Sequence, residues 1–182
     1  DGIDGITATE TVAVCCGVML ITASTIMGLF PYALVTAAAA LGFLWWNWPP
    51  ARIFLGDVGS IPLGFFLGWI LLSLAQEGYG AAVLILPAYY NVDATLTLGR
   101  RALRGEQVWQ AHKQHAYQRA GQRGWSHQAV VLAIMLTNLA LVGLAVFATL
   151  NPSFTMQALT GAGVVVAGII IVLQKVGGNK SL

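Results

Sequence analysis

Apolar residues gather along this chain in six long blocks, at 12–30, 33–48, 62–75, 81–98, 130–150 and 155–174. A helix that crosses a bilayer needs about 20 such residues. The pattern therefore predicts an all-α, polytopic transmembrane helix bundle of about six helices, forming one membrane domain over residues 1–182. Blocks two and three are short and call for tilt, extension by flanking residues, or packing against neighbours. Pro31, Pro49-Pro50 and Asn151-Pro152 fall between blocks, where helix breakers belong. Trp45, Trp46 and Trp48 close the second block as an interfacial aromatic belt.

The polar interruptions carry more information than the blocks. Asp1-Gly-Ile-Asp4-Gly precedes the first block, Phe54-Leu-Gly56-Asp57-Val-Gly59-Ser60 precedes the third, and Asp93 lies inside the fourth. Carboxylates are costly near lipid, so an apolar chain that keeps them points to a site. Basic residues set the orientation. Arg100, Arg101, Arg104, Lys113, Arg119 and Arg123 share one segment, which the positive-inside rule places in the cytoplasm. Counting crossings from it puts loops at about 1–11, 49–61 and 99–128 on that same face. Composition agrees: the chain is 57% hydrophobic and 9% charged, whereas a soluble domain carries roughly 25% charged residues. Cys15 and Cys16 are adjacent, a spacing that suits neither zinc nor an ordinary disulfide, and read as packing residues.

Each motif has its own chemistry. Gly56 and Gly59 allow positive φ, which exposes successive N–H groups to an anion. Ser60 is placed to cap the third helix, with Pro62 in its first turn. The positive end of that helix then lies beside Asp57, and a carboxylate next to a phosphate cradle suits a Mg²⁺–diphosphate complex. A plain capping turn is the competing reading. Asp1 and Asp4, three residues apart, can hold a metal, bond a ribose or nucleobase, or cap the first helix. Asp93 is expected to face the bundle interior with Thr97, and Asn91 with Thr95, either as hydrogen bonds between helices or as a carboxylate at or behind a ligand. His112, His115 and Arg119 sit in the basic segment. His112 and His115 share a face if that stretch is helical, and phosphate suits this basic setting better than zinc. Nucleic acid is not an expected partner for so short a loop at a membrane surface.

The string Ala51-Arg-Ile-Phe-Leu-Gly-Asp-Val-Gly-Ser60, after Asp-Gly-Ile-Asp-Gly and before a His-containing basic loop, resembles the polyprenyl-phosphate N-acetylhexosamine-1-phosphate transferases (glycosyl transferase family 4). That resemblance implies transfer of a sugar-1-phosphate from a UDP-N-acetylhexosamine to undecaprenyl phosphate, with release of UMP. It implies Mg²⁺, for which Mn²⁺ can substitute, and a multi-pass protein of the bacterial inner membrane with a cytoplasmic active site. Asp57 matches the family's metal ligand, and Phe54 an aromatic that stacks on uracil. Asp1 and Asp4 match the acidic pair of the nucleotide and active site. His115 matches a loop histidine that contacts phosphates, and Asp93 an Asp at the end of a membrane helix. Gly56, Gly59, Ser60, His112 and Arg119 complete the expected substrate contacts. His115-Ala-Tyr117-Gln118 departs from the family's His-x-His-His and looks most like enzymes that begin O-antigen or related polysaccharides. The chain opens on Asp1 without the family's paired-aspartate motif, so it reads as the C-terminal part of a larger transferase and is expected to be inactive alone. A homodimer is plausible by family analogy. The alternatives are a transporter that uses Asp93 as its intramembrane site, and a non-catalytic membrane scaffold.

Overall fold

The computed structural model describes residues 2–23, 28–107 and 115–175. Among these residues the chain is all-helical, with eight α-helices and no strand. They are α1 (Ile6–Ile21), α2 (Phe30–Asn47), α3 (Gly56–Gln76), α4 (Gly80–Ile85), α5 (Ala88–Leu103), α6 (Ala116–Gln122), α7 (His127–Leu150) and α8 (Thr155–Lys175). A 3₁₀ turn, Pro152–Phe154, joins the last two. Three helical stretches are long and apolar enough to cross a membrane: Gly56–Gln76, His127–Leu150 and Pro152–Lys175, with α1 a shorter apolar helix. By length and composition this is a membrane protein.

Two differences explain why eight helices appear where about six were expected. The fourth apolar block is not one helix: it breaks between α4 and α5, where Pro87 takes φ −91° and ψ 16°. Pro87 has no N–H for a continuous ladder, and hydrophobicity alone cannot register that loss. The second difference is α6, a short helix inside the basic segment. Helix α3 also begins earlier than expected. Gly56 does take positive φ, at 61°, but Gly59 does not; it is helical, and its missing side chain makes room for Leu55. A Cβ there would lie 2.5 Å from Leu55 Cδ1. Ser60 is consequently not a cap, since Leu55 holds that position, and Pro62 lies within the helix.

Packing centres on α1, which lies against α2 and α7, while α8 covers the far side of α7. Ala33, Ala37 and Ala40 form the buried side of α2, and small residues of this kind let helix backbones approach. Ala145 and Ala148 of α7, with Ala158 and Ala162 of α8, do the same at the other interface. Cys15 is buried in the core, consistent with a packing role, and Cys16 is half-buried. Helix α3 buries only Ile70 and Leu74 fully, with Phe66, Leu67 and Leu71 packed partly against the core; its other apolar residues need no protein cover if lipid covers them.

One close approach makes a direct test. A Cβ on Gly17 of α1 would collide with Leu86, the residue that follows α4. Gly17→Ala is expected to cost about 1–3 kcal/mol, the usual effect of overpacking a filled core. Thermal unfolding in detergent micelles measures it, and an unchanged midpoint would show that Leu86 moves aside freely.

Candidate active site

The first Asp-Gly segment enters α1 through Gly5, whose φ of 79° is one that few other residues adopt easily. Its N–H donates to Asn47 Oδ1 at 2.8 Å, and Asn47 Nδ2 donates to the Ile53 carbonyl at 2.8 Å. A single buried amide at the end of α2 thus ties the first motif to the loop that carries the second. Asp4 makes another tie: its Oδ2 accepts from the Ala51 N–H at 3.1 Å and lies 3.3 Å from His127 Nδ1 at the start of α7. Gln128, the next residue, donates from Nε2 to the Pro49 carbonyl at 2.8 Å. Three elements remote in sequence are fastened around Asp4.

The basic segment arrives from the other side. Asp93, on α5, is 4% exposed and accepts twice. Oδ1 takes the Ala116 N–H at 2.9 Å, and Oδ2 is 2.9 Å from His115 Nδ1. The start of α6 is therefore held by a carboxylate whose helix ended long before. The His115 ring stacks on Tyr117 with centroids 5.3 Å apart and planes 7° apart. Tyr117 is buried, which pushes its phenol up to about 12, with Asp93 adding to the effect, so its hydroxyl keeps its proton at neutral pH. Gly2 lies against this helix: a Cβ there would strike Gln118 Nε2 and sit 3.1 Å from the Tyr117 ring. The Asp-Gly segment and the His-Ala-Tyr-Gln segment are neighbours in space.

Asp57 and Phe54 lie at the N-terminus of α3. Both are exposed, Phe54 at 75%. The first turn of an α-helix leaves its N–H groups without intrahelical partners, here those of Gly56, Asp57 and Val58. The expected glycine loop is thus a helix N-terminus entered through one glycine, with Gly59 and Ser60 already inside the helix. Ser60 also lines a cleft of about 200 Å³ between α1 and α3, with Thr7, Glu10, Thr11 and Tyr90. Arg119 is half-buried in the last turn of α6. Among the described residues no three His, Cys, Asp or Glu side chains converge as a metal site. Asp1 and His112, both expected at the site, lie outside the described residues.

Other expectations are corrected. Asp93 and Thr97 do face inward, but Asn91 and Thr95 are exposed, since the buried stripe of α5 runs Tyr89, Asp93, Thr97, Arg101. Arg101, taken for a topology charge, is 4% exposed: Nε meets Glu106 Oε2 at 3.0 Å, and a terminal nitrogen donates to the Gln107 carbonyl at 2.7 Å. Asn47 and Gln128 were not picked out as site residues. Neither was Glu10, a buried carboxylate on α1 that accepts from Asn138 Nδ2 of α7 at 2.7 Å. Glu10 stands two residues before the first apolar block, and that closeness was the available signal.

Residues 1–75 match the family model described as Glycosyl transferase family 4, the family that the motifs resemble. The matched stretch contains both Asp-Gly motifs and the Asn47 tie between them. No solved structure matches the chain.

Proposed function

We propose that this membrane protein, matched over residues 1–75 to glycosyl transferase family 4, moves N-acetylhexosamine-1-phosphate from a UDP-sugar to undecaprenyl phosphate. The products are the lipid-diphosphate sugar and UMP, and the step begins a cell-envelope polysaccharide such as O-antigen. The observation that carries this reading is the approach of the first motif to its neighbours: Asp4 is tied to Ala51, in the loop that leads to Phe54 and Asp57, and Gly2 lies against the helix that Asp93 and His115 begin. Phosphoryl transfer asks for little else, because positioning and charge neutralisation supply most of its catalysis. The acceptor phosphate sits at a membrane surface, and the site is built from helix ends, where a lipid phosphate is reachable.

Roles follow from chemistry. Mg²⁺ keeps several waters and binds through one or two carboxylates plus substrate phosphates. A single exposed carboxylate such as Asp57 fits that habit, and Mn²⁺ would take the same oxygens. When bound, the ion neutralises charge on the diphosphate. The unpartnered N–H groups of Gly56, Asp57 and Val58 donate to phosphate oxygens, helped by the α3 dipole. Phe54 offers an exposed aromatic face to the uracil. Asp4 and Asp1 serve the nucleotide and the reacting groups, while Ser60, Gly59, His112 and Arg119 complete the substrate contacts. Asp93 positions His115 against the donor phosphates, a different duty from that of a transport carboxylate. The site faces the cytoplasm of a bacterial inner membrane. The apolar groove between α1, α2 and α3, about 350 Å³ and lined by Val35, Phe43 and Leu63 among others, is suited to the polyprenyl tail.

The test uses the full-length protein in membranes with undecaprenyl phosphate, Mg²⁺ and a panel of labelled UDP-N-acetylhexosamines. Label passing into lipid with one UMP released per transfer is the expected result, and the efficient donor names the sugar. A folded protein that transfers none of them would overturn the proposal.

A further inference from the structure

We infer that His127 is a positioning residue for Asp4, fixing which carboxylate oxygen is presented to the nucleotide of the donor; this rests on the transferase reading above. Both contacts of the Asp4 carboxylate fall on one atom. Oδ2 faces His127 Nδ1 at 3.3 Å and accepts from Ala51 N–H at 3.1 Å, while Oδ1 takes no hydrogen bond among the described residues. A carboxylate held by one oxygen is fixed in rotation and directs the other oxygen at a donor group. For a uridine nucleotide that group is a ribose hydroxyl or the N–H of the base.

The place of His127 in the fold suits this role. It opens α7, and Ser126 before it caps that helix by accepting from the Ala129 N–H at 3.1 Å. Gln128 fastens the same turn to Pro49. The imidazole is therefore carried on a rigid helix start, at the outer side of the carboxylate: its side chain is 45% exposed and that of Asp4 19%. Two Asp–His pairs flank α6 in sequence, Asp93 with His115 before it and Asp4 with His127 after it, each made through Nδ1.

The choice of nitrogen gives the experiment. Asn places an N–H donor near the position of Nδ1, whereas Gln reaches toward that of Nε2. His127→Leu is expected to raise KM for the UDP-sugar about tenfold, the scale of losing one close polar contact to a charged group, with kcat changed less than about threefold. His127→Asn restores KM to within about threefold, and His127→Gln does not. Hydrogen exchange gives a readout independent of catalysis: the Gly5 and Ala51 amides exchange faster in the Leu variant and return toward wild type in the Asn variant. Wild-type kinetics and exchange in His127→Leu would overturn the inference. So would equal defects in Asn and Leu with a collapse of kcat, which would make the imidazole a reacting group. If the wild-type protein transfers no sugar, the transferase reading falls, and the exchange comparison still decides whether His127 holds the Asp4 network. Should the Leu variant fail to fold, the Asn–Gln pair carries the same comparison.

Discussion

Asp57→Asn is expected to lower transfer by about 10²–10³-fold while leaving the protein folded. The side chain is exposed in the first turn of α3, so its removal disturbs little packing. The carboxylate helps the helix only through the dipole, worth about 0.3–1 kcal/mol at an exposed site. Its chemical duty is larger. An amide of the same shape keeps an oxygen but loses the negative charge that a hard cation prefers, and charge stabilisation aimed at a transition state is commonly worth about 10²–10³ in rate per donor. Thermal unfolding with circular dichroism, run beside the transfer assay, separates the two effects. Unchanged transfer by a folded Asn variant would remove Asp57 from the metal site. Raising Mg²⁺ or Mn²⁺ is expected to recover part of the activity, because a weakened ligand shifts the affinity of the ion rather than the shape of the helix.

That prediction draws on a residue that could be read directly, and the contrast with the rest of the site is instructive. Local chemistry was legible: the long apolar helices, the left-handed glycine at position 56, the inward face of Asp93 and the packing role of Cys15. Features that depend on what a backbone does inside an apolar run were less so. Pro87 was visible, yet it lies in a stretch hydrophobic enough to be taken for one span, and α3 begins at Gly56 because Leu55 and Gly59 can pack one turn apart. Least legible were the ties between remote segments. Asn47 bonds residues 5 and 53, Asp4 meets residues 51 and 127, and Asp93 holds residues 115 and 116. Each pairing is fixed by how α1, α2, α5 and α7 pack, and no local spacing encodes it. The basic segment illustrates the same limit. Its charge suggested topology and phosphate contact, whereas Arg101 turns back into the protein to meet Glu106 and the Gln107 carbonyl.

The most damaging substitution should be at one of these remote ties, and Asp93 is the strongest case. Its carboxylate is 4% exposed and takes one donor on each oxygen. Asp93→Ala would leave the Ala116 N–H and the His115 ring without that partner in a buried place, at a cost of about 2–4 kcal/mol. Helix α6 is too short to hold itself, so the start of α6 should loosen and His115 should lose its fixed orientation. Transfer is expected to fall about 10²-fold or more even at temperatures where the variant is folded. Asp93→Asn separates the two consequences. The amide oxygen still accepts from Ala116, so stability should stay within about 1 kcal/mol of wild type. Facing His115, however, the carboxylate only accepts, which puts the proton on Nδ1, whereas an amide NH₂ donates to Nδ1 and moves the proton to Nε2. An Asn variant that is stable but slow would place the effect of Asp93 in the tautomer of His115. One that is both stable and fast would confine Asp93 to anchoring α6. An Ala variant that melts like wild type would deny it even that.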